Sequence, residues 1–459
     1  MAITILSLGL LVFLGHFLTG LFEKTKIPDV LILTIGGIIL GPVFHIVSPD
    51  DFGKVGPVFT TLALIIILFE GGIHLNVKSL AAHAGDTLTI SVATFFLTVL
   101  LISLLAELLL QIEYPTALLI GVILGGTSSA VVVPMVRVLR VGEATSTVLF
   151  LESALTDVLV VVLTLALLQA MVAGAASAAP SIDGGSIALG IAASFLMSGL
   201  IGTAGAFLWS ALLDKVRRFP NTVFTTFAAV FILYGIAELQ GYSGAIAALA
   251  FGVAVANFPN VPQRLLGKLF TFKLVGFADH EQAFFAEVVF LVKTFFFVFL
   301  GLSITLSNWR TTLAGLALLP LVFVGRLLVV RMLADRATPR REAMLMTSLI
   351  PKGLASAVLA SIPLQMGLLS GALIQDTVYS TVLFSIVLCA ALVFMVERGH
   401  LDRFAARFLA VFQDSQPSPA PKRALRVSQQ SLGLPQLDAG LIEPNPVRDL
   451  DEPPGDETP

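Results

Sequence analysis

The stretch Glu152-Ser153-Ala154-Leu155-Thr156-Asp157 sets two carboxylates and two hydroxyls near the middle of an apolar run from about Ala144 to Met171. A run of that length can cross a bilayer, which takes roughly 20 residues. An ionised side chain at such depth costs at least ~2.5–3.5 kcal/mol and by default marks a functional site. The chemistry open to a carboxylate there is to take up either a proton or a small hard cation, and not both. Ser153 stands four residues before Asp157, on the same helical face, whereas Glu152 stands five before it and points well around the helix. The two acids therefore have different jobs.

An ion pair at this depth needs an embedded cation, and three basic residues qualify: Lys293, Arg326 and Lys352. Arg326, mid-span in Val324-Gly325-Arg326-Leu327, keeps its charge at any relevant pH and needs a permanent counter-ion. Glu152 is the first choice; the alternative is an Arg326 that snorkels to the interface. Lys293 reads as structural, close enough to a span end to snorkel to the cytoplasmic side. Asp157 is left as the titrating group. Desolvation favours its neutral form and a nearby lysine its charged form, while the alternative is an aspartate that only locks helices together. Oxygen ligands for a monovalent cation are at hand in Asp157, the Ser153 hydroxyl and freed carbonyls around Thr127. Glu70 adds a ligand through water, or is a helix-end acid facing the cytoplasmic interface. His16, His45 and His74 show no metal-ligand spacing. The chain has no Walker loop, nucleophile elbow or zinc pattern, so it implies no enzyme chemistry, cofactor or nucleic-acid partner.

The elements that position these residues follow from composition. Of 459 residues, 56% are hydrophobic and only 12% charged, against roughly 25% charged in a soluble domain. With a mean hydropathy of +0.95, the chain reads as an all-α polytopic membrane protein. Net charge of −3 averages a membrane body with a polar tail, and the single cysteine, Cys389, reads as a buried inert thiol. Met1–Phe22 lacks a positive n-region and a small-residue cleavage site, so it reads as the first spanning helix.

Thirteen spans are expected, at roughly 3–22, 28–47, 57–75, 86–111, 115–139, 144–171, 185–213, 221–239, 242–257, 286–306, 311–334, 342–366 and 373–396. The stretch from about Pro262 to Phe277 reads as an interfacial amphipathic helix. Beyond residue 397 a cytoplasmic tail, 398–459, opens with a basic amphipathic piece from Arg398 to Phe412. It continues as a Pro-, Ser- and acid-rich segment expected to be disordered. With the N-terminus outside, the inside loops collect Lys24, Lys26, Lys78, Arg137, Arg140, Lys215, Arg217, Arg218, Arg264, Lys268, Lys273, Arg331, Arg336, Arg340 and Arg341. The outside loops hold only Lys54 and Arg310, and fifteen against two fixes the orientation, with the C-terminus cytoplasmic.

Two pairs of motifs recur seven spans apart, and therefore cross the membrane in opposite directions. Phe69-Glu70-Gly71-Gly72-Ile73 closes the third span and Phe299-Leu300-Gly301-Leu302-Ser303-Ile304 the tenth. Gly125-Gly126-Thr127-Ser128-Ser129 interrupts the fifth span and Pro351-Lys352-Gly353 the twelfth. This is the pattern of an inverted repeat, with the seventh span as connector. Glycine and proline in mid-span free backbone groups that lipid cannot satisfy, so the breaks belong beside a watery cavity. The alternative is close packing of small residues between helices.

At these residues the chain resembles the monovalent cation/proton antiporters, in particular the NhaP-like branch that includes the sodium/proton exchangers. The resemblance spans about residues 1–397 and is carried by Glu152-Ser153-Ala154-Leu155-Thr156-Asp157, Phe69-Glu70-Gly71-Gly72, Gly325-Arg326 and Lys352-Gly353. It implies a homodimer in the cell (inner) membrane, with core helices at about 57–171 and 286–396 and dimerisation helices at about 3–47 and 185–257. It further implies two crossed, interrupted helices, elevator-like alternating access, and exchange of Na+, Li+ or K+ for H+. Asp157 would bind ion and proton, Glu152 and Arg326 would form a structural ion pair, and Lys352 would be the charge at the crossing. Ser153, Thr156, Thr127, Ser128 and Glu70 would complete the ion shell. Two departures matter. Thr156 stands where the family carries asparagine, leaving a single carboxylate, which in the family goes with electroneutral exchange. Thr127-Ser128-Ser129 stands where the family has Thr-Asp-Pro, a form closer to the potassium-efflux branch, so a channel-like potassium efflux system on the same scaffold is the rival reading.

Overall fold

Water is absent from a bilayer core, so an apolar segment of spanning length must close its own backbone hydrogen bonds. In the computed structural model every regular element among the described residues is helical. Those residues are 9, 13, 15–17, 28–47, 55–74, 85–139, 141–176, 184–218, 224–258, 276–304 and 308–413. Lys24, Lys26, Lys54, Lys78, Arg140, Arg264, Lys268 and Lys273 lie outside them. So do most of the expected first span, the interfacial stretch before residue 276 and the tail beyond Gln413. Met1–Ala420 forms one unit of the chain, and Pro421–Pro459, a second unit, is not among the described residues.

The helices are α1 (Asp29–Ile38), extended by a π turn over Ile39–Val43 around Pro42, α2 (Val55–His74), α3 (Asp86–Leu110), α4 (Tyr114–Ile123) and α5 (Ser129–Leu139). There follow α6 (Glu143–Ala176), α7 (Gly184–Val216), α8 (Thr225–Leu239), α9 (Gly244–Asn257) and α10 (Asp279–Leu302). The last are α11 (Trp309–Leu333), α12 (Arg340–Ser348), α13 (Leu354–Gln365), α14 (Gly371–Glu397) and the short α15 (Asp402–Phe408). All but α15 overlap the residue ranges expected for the second to the thirteenth spans. Six of them (α3, α6, α7, α10, α11 and α14) are individually long and apolar enough to cross a membrane. Large apolar side chains such as Phe96, Leu104, Leu208, Ile232, Leu316 and Phe394 face outward, as lipid-facing surfaces require.

Helix α10 begins at Asp279, several residues before the expected edge at 286. Its polar first turn was invisible to hydropathy because its partners lie elsewhere in the chain. Arg217 grips both carboxylate oxygens of Glu281 at 2.9 and 2.6 Å and reaches the Gly276 carbonyl at 2.8 Å. Glu281 in turn accepts the Ala278 N–H at 2.8 Å.

Helix α9 packs along α2 and α7, and α10 along α1. A second set joins α11 to α3 and α14, and α13 to α14. Two close approaches use glycine on glycine. A Cβ on Gly72 would run into the α9 backbone beside Gly252, and one on Gly301 into the α1 backbone beside Gly37. Removing the side chain lets the helix backbones come together, as small residues do in membrane bundles.

Residues 398–413 turn back under the bundle. Phe404 packs its ring, tilted by 43°, against Phe323 with centroids 6.2 Å apart, Leu409 and Phe412 are buried, and Arg340 N–H donates to the Gln413 carbonyl at 2.8 Å.

Candidate ion site at the helix crossing

The fifth span is built of α4 and α5, which have 10 and 11 residues. At 1.5 Å per residue each is roughly 15 Å long, half a hydrocarbon core. The twelfth span is likewise split into α12 and α13, of 9 and 12 residues. Each break leaves helix-end groups that need partners, and the two breaks supply them to each other. Ser128 N–H donates to the Pro351 carbonyl at 2.8 Å, and Lys352 Nζ donates to the Gly126 carbonyl at 2.9 Å. Lys352 N–H donates to Ser385 Oγ on α14 at 2.9 Å. Gly353 is required at this point, since a Cβ there would overlap the Ser128 side chain. The buried Lys352 side chain, expected as the charge at the crossing, donates to a backbone carbonyl just past the negative end of α4.

Helix α6 passes the crossing. Thr156 fastens it there: its Oγ1 accepts the Thr127 N–H at 3.1 Å and lies 3.3 Å from Thr127 Oγ1. Asp157, next along the helix, is partly exposed. Its Oδ2 accepts the Ser129 hydroxyl at 2.6 Å and the Ser129 N–H at 3.4 Å. Ser129 is the first residue of α5, so the carboxylate faces the positive end of a half-helix. Glu70 on α2 is half-buried and near enough to act on Asp157 electrostatically. Ser153 is fully buried, and its hydroxyl donates to the Phe150 carbonyl at 3.1 Å rather than to Asp157. Thr127 and Ser128 are buried in the break itself.

One turn away, Glu152 and Arg326 meet in a bidentate ion pair, with Nη2 to Oε2 at 2.6 Å and Nη1 against Oε1. The guanidinium is completed by Met346 O on α12, 2.9 Å from Nε, and by Thr94 Oγ1 on α3, 3.0 Å from Nη1. Arg326 is 1% exposed, which excludes snorkelling. Lys293 does not snorkel either: it pairs with Asp29 at the start of α1, 3.1 Å away. Sequence reasoning missed Ser129, Thr94 and the Gly126 carbonyl. Ser129 carried only the signal of a hydroxyl residue at the start of a half-helix, which does not by itself distinguish it from a helix cap.

Helices that cover their own backbones, two of them broken and tied to each other beside a membrane-embedded carboxylate, define a multi-pass membrane protein. Residues 9–397 match the family described as sodium/hydrogen exchanger, transmembrane, and the chain belongs to that family. Na(+)/H(+) antiporter 1 of Methanocaldococcus jannaschii is 25% identical over 324 residues, covering 65% of this chain and 68% of that protein. The K(+)/H(+) antiporter NhaP2 of Shewanella sp. (strain MR-4) is 23% identical over 444 residues, covering 92% of this chain and 70% of that protein. The fold is that of the sodium proton antiporter MjNhaP1 from Methanocaldococcus jannaschii at pH 8, with a TM-score of 0.66 at 21% identity over 86% of this chain and 98% of that one.

Proposed function

We propose that the protein is a secondary active antiporter, and not an enzyme, that exchanges Na+, Li+ or K+ for H+ one for one by alternating access. The observation that carries this is Asp157: a half-buried residue at the crossing whose carboxylate oxygen is held, among the described residues, by hydrogen-bond donors and not by a cationic side chain. Its charge is free to be neutralised by either substrate, and mutually exclusive occupancy couples the two fluxes. Thr127, Ser128, Ser153, Thr156 and Glu70 surround it as ion shell and scaffold, while Glu152, Arg326 and Lys352 hold the crossing in shape. The single carboxylate supports electroneutral exchange, and the names of the sodium and potassium antiporter relatives support a monovalent cation without choosing one.

The architecture we infer is thirteen helices in an inverted repeat. The two glycine-on-glycine contacts support it, since α2 against α9 and α10 against α1 are equivalent pairs under a seven-span offset. The moving core is about 57–171 and 286–396, against dimerisation helices at about 3–47 and 185–257, and the packing of α2 on α9 and of α10 on α1 supports a place for those two core helices next to the dimerisation side. The chain works as a homodimer in the cell (inner) membrane with its N-terminus outside and its C-terminus cytoplasmic. The meeting of Arg331, Arg340 and Arg341 with residues 397–413 supports a common inside face.

The test is exchange in vesicles under an imposed pH gradient. Adding Na+, Li+ or K+ should release protons without generating a voltage, and Asp157→Asn should abolish this while the protein remains folded. Cation flux that clamps the voltage without proton movement would instead favour a channel-like potassium efflux system, for which the Ser128-Ser129 pair is the argument.

A further inference from the structure

Both hydrogen bonds that Asp157 accepts among the described residues come from Ser129. That is unexpected in a chain of this resemblance. The Thr-Asp-Pro form ends in proline, which has neither an N–H nor a hydroxyl, whereas Thr127-Ser128-Ser129 offers both at the same point. The donors are placed with some precision. Ser129 opens α5, its amide belongs to the unsatisfied first turn of that half-helix, and its hydroxyl lies 2.6 Å from Oδ2. The register is fixed from both sides, by Ser128 N–H on Pro351 O and by Thr127 N–H on Thr156 Oγ1.

We propose that Ser129 is a positioning and selectivity residue for the transport carboxylate. Its amide and hydroxyl orient the empty Asp157 carboxylate, and the hydroxyl turns on cation arrival to offer its oxygen as a ligand. The proposal rests on Asp157 being the exchange site. A hydroxyl suits both tasks because it carries one donor and two acceptor lone pairs and rotates between them. A donor aimed at a carboxylate favours the ionised form and opposes protonation. A proton and a cation thus compete for an oxygen that Ser129 already occupies, and with the cation bound Ser129 stays a partner through the reversed hydroxyl.

The other charged groups around Asp157 do not duplicate this role. Glu70, from α2, has the same sign as Asp157 and supplies no compensation. Lys352, between α12 and α13, is committed to the Gly126 carbonyl. Glu152 and Arg326, from α6 and α11, neutralise each other.

The experiment compares wild type with Ser129→Ala, Ser129→Thr and Asp157→Asn in reconstituted vesicles, measuring the pH profile of exchange together with the cation KM and the maximal rate. Ser129→Ala should raise the pH of half-maximal activity by about one unit, a tenfold change in the balance between empty and protonated site. At a pH well above that midpoint, where protons no longer compete, its cation KM should rise roughly tenfold through loss of a hydroxyl ligand. The maximal rate should stay near wild type, and Ser129→Thr, which keeps the hydroxyl, should restore both quantities. Should Ser129→Ala match wild type in profile and KM while Asp157→Asn is inactive, the Ser129 role is overturned and the exchange site stands. Should Asp157→Asn exchange normally, the site assignment itself fails. A loss of maximal rate alone, unrepaired by threonine, would mark Ser129 as structural and overturn the proposal.

Discussion

Lys352 Nζ and the Gly126 carbonyl oxygen lie 2.9 Å apart, so the charge carried by one broken helix closes the open end of the other. With Ser128 N–H on Pro351 O, the contact runs in both directions across the crossing. The crossing is held by backbone groups that water would satisfy in a soluble protein and that here must be satisfied by protein.

Lys352→Met keeps the length of the side chain and removes its donor. The Gly126 carbonyl is then buried without its partner, which costs about 1–3 kcal/mol. Part of that is offset because a buried ammonium no longer has to be desolvated. The expected result is an apparent Tm several degrees below wild type in a detergent melt, with exchange reduced more than the amount of folded protein. An unchanged Tm would show that the contact contributes nothing to holding the breaks together.

Gly353 and Ser128 test the crossing sterically. Gly353→Ala introduces a Cβ where the Ser128 side chain already lies, and the clash is with both its Oγ and its Cβ. The variant should lose most exchange and accumulate poorly. Adding Ser128→Gly removes the colliding atoms and should recover a measurable fraction of folded protein, at some cost in chain flexibility. If the double variant is no better than Gly353→Ala alone, the requirement for glycine lies elsewhere than in Ser128.

Much of this arrangement can be read from the chain, and the unread part has a physical pattern. Hydropathy locates the spans because a bilayer admits little else, and Gly125-Gly126 and Pro351-Lys352-Gly353 locate the breaks because those residues have no place in an intact buried helix. Glu152 is legible as the partner of Arg326 because a permanently charged residue at depth leaves few choices. The destination of Lys352 is not legible, since every residue offers the same backbone carbonyl and nothing in the sequence distinguishes that of Gly126. Ser129 is masked by the company it keeps: a serine at a half-helix start reads as an ordinary cap. The polar pairs Arg217–Glu281 and Lys293–Asp29 join residues far apart in the chain, so hydropathy places Asp279–Glu281 outside the helix that contains them.

The ion pair of Glu152 with Arg326 makes a double-mutant prediction. Removing either partner strands the other charge in the bilayer interior, which costs roughly 3–5 kcal/mol. Glu152→Met and Arg326→Met should each reduce accumulation of folded protein severely. The double variant leaves no stranded charge and loses only the hydrogen bonds to Thr94 and Met346, so it should be more stable than either single variant. Its exchange, measured per folded molecule, should remain sensitive to Asp157→Asn. A double variant as unstable as the sum of the two singles would mean that the pair is not an energetic unit.

Competition at one carboxylate fixes the sign and slope of the pH dependence. As pH falls, protons occupy Asp157 and the cation must displace them, so the apparent cation KM should rise on the acid side and level off on the alkaline side. One proton against one cation gives about a tenfold rise per pH unit by mass action. Initial rates across a matrix of pH and Na+, Li+ or K+ concentrations measure this directly. A rise near a hundredfold per unit would require a second titrating group.

The segment after α14 supplies the last test. Leu409 and Phe412 are buried, Arg331 reaches the Phe408 carbonyl at 2.7 Å, and the Arg340 N–H reaches that of Gln413 at 2.8 Å. Arg340 is the first residue of α12, the half-helix that leads into the break at Lys352. Residues 398–413 are thus fastened to the same broken span that carries the crossing. Phe412→Ala should cost about 3 kcal/mol, the lower end for truncating a buried phenylalanine, because its site lies at the rim of the bundle. Ending the chain at Glu397 should cost more, since it also removes Leu409 and the acceptors for Arg331 and Arg340. In both cases the apparent Tm should fall while Asp157-dependent exchange persists at temperatures below the new transition. A shortened chain that melts with wild type would show that the contacts of residues 398–413 are too weak to brace α12.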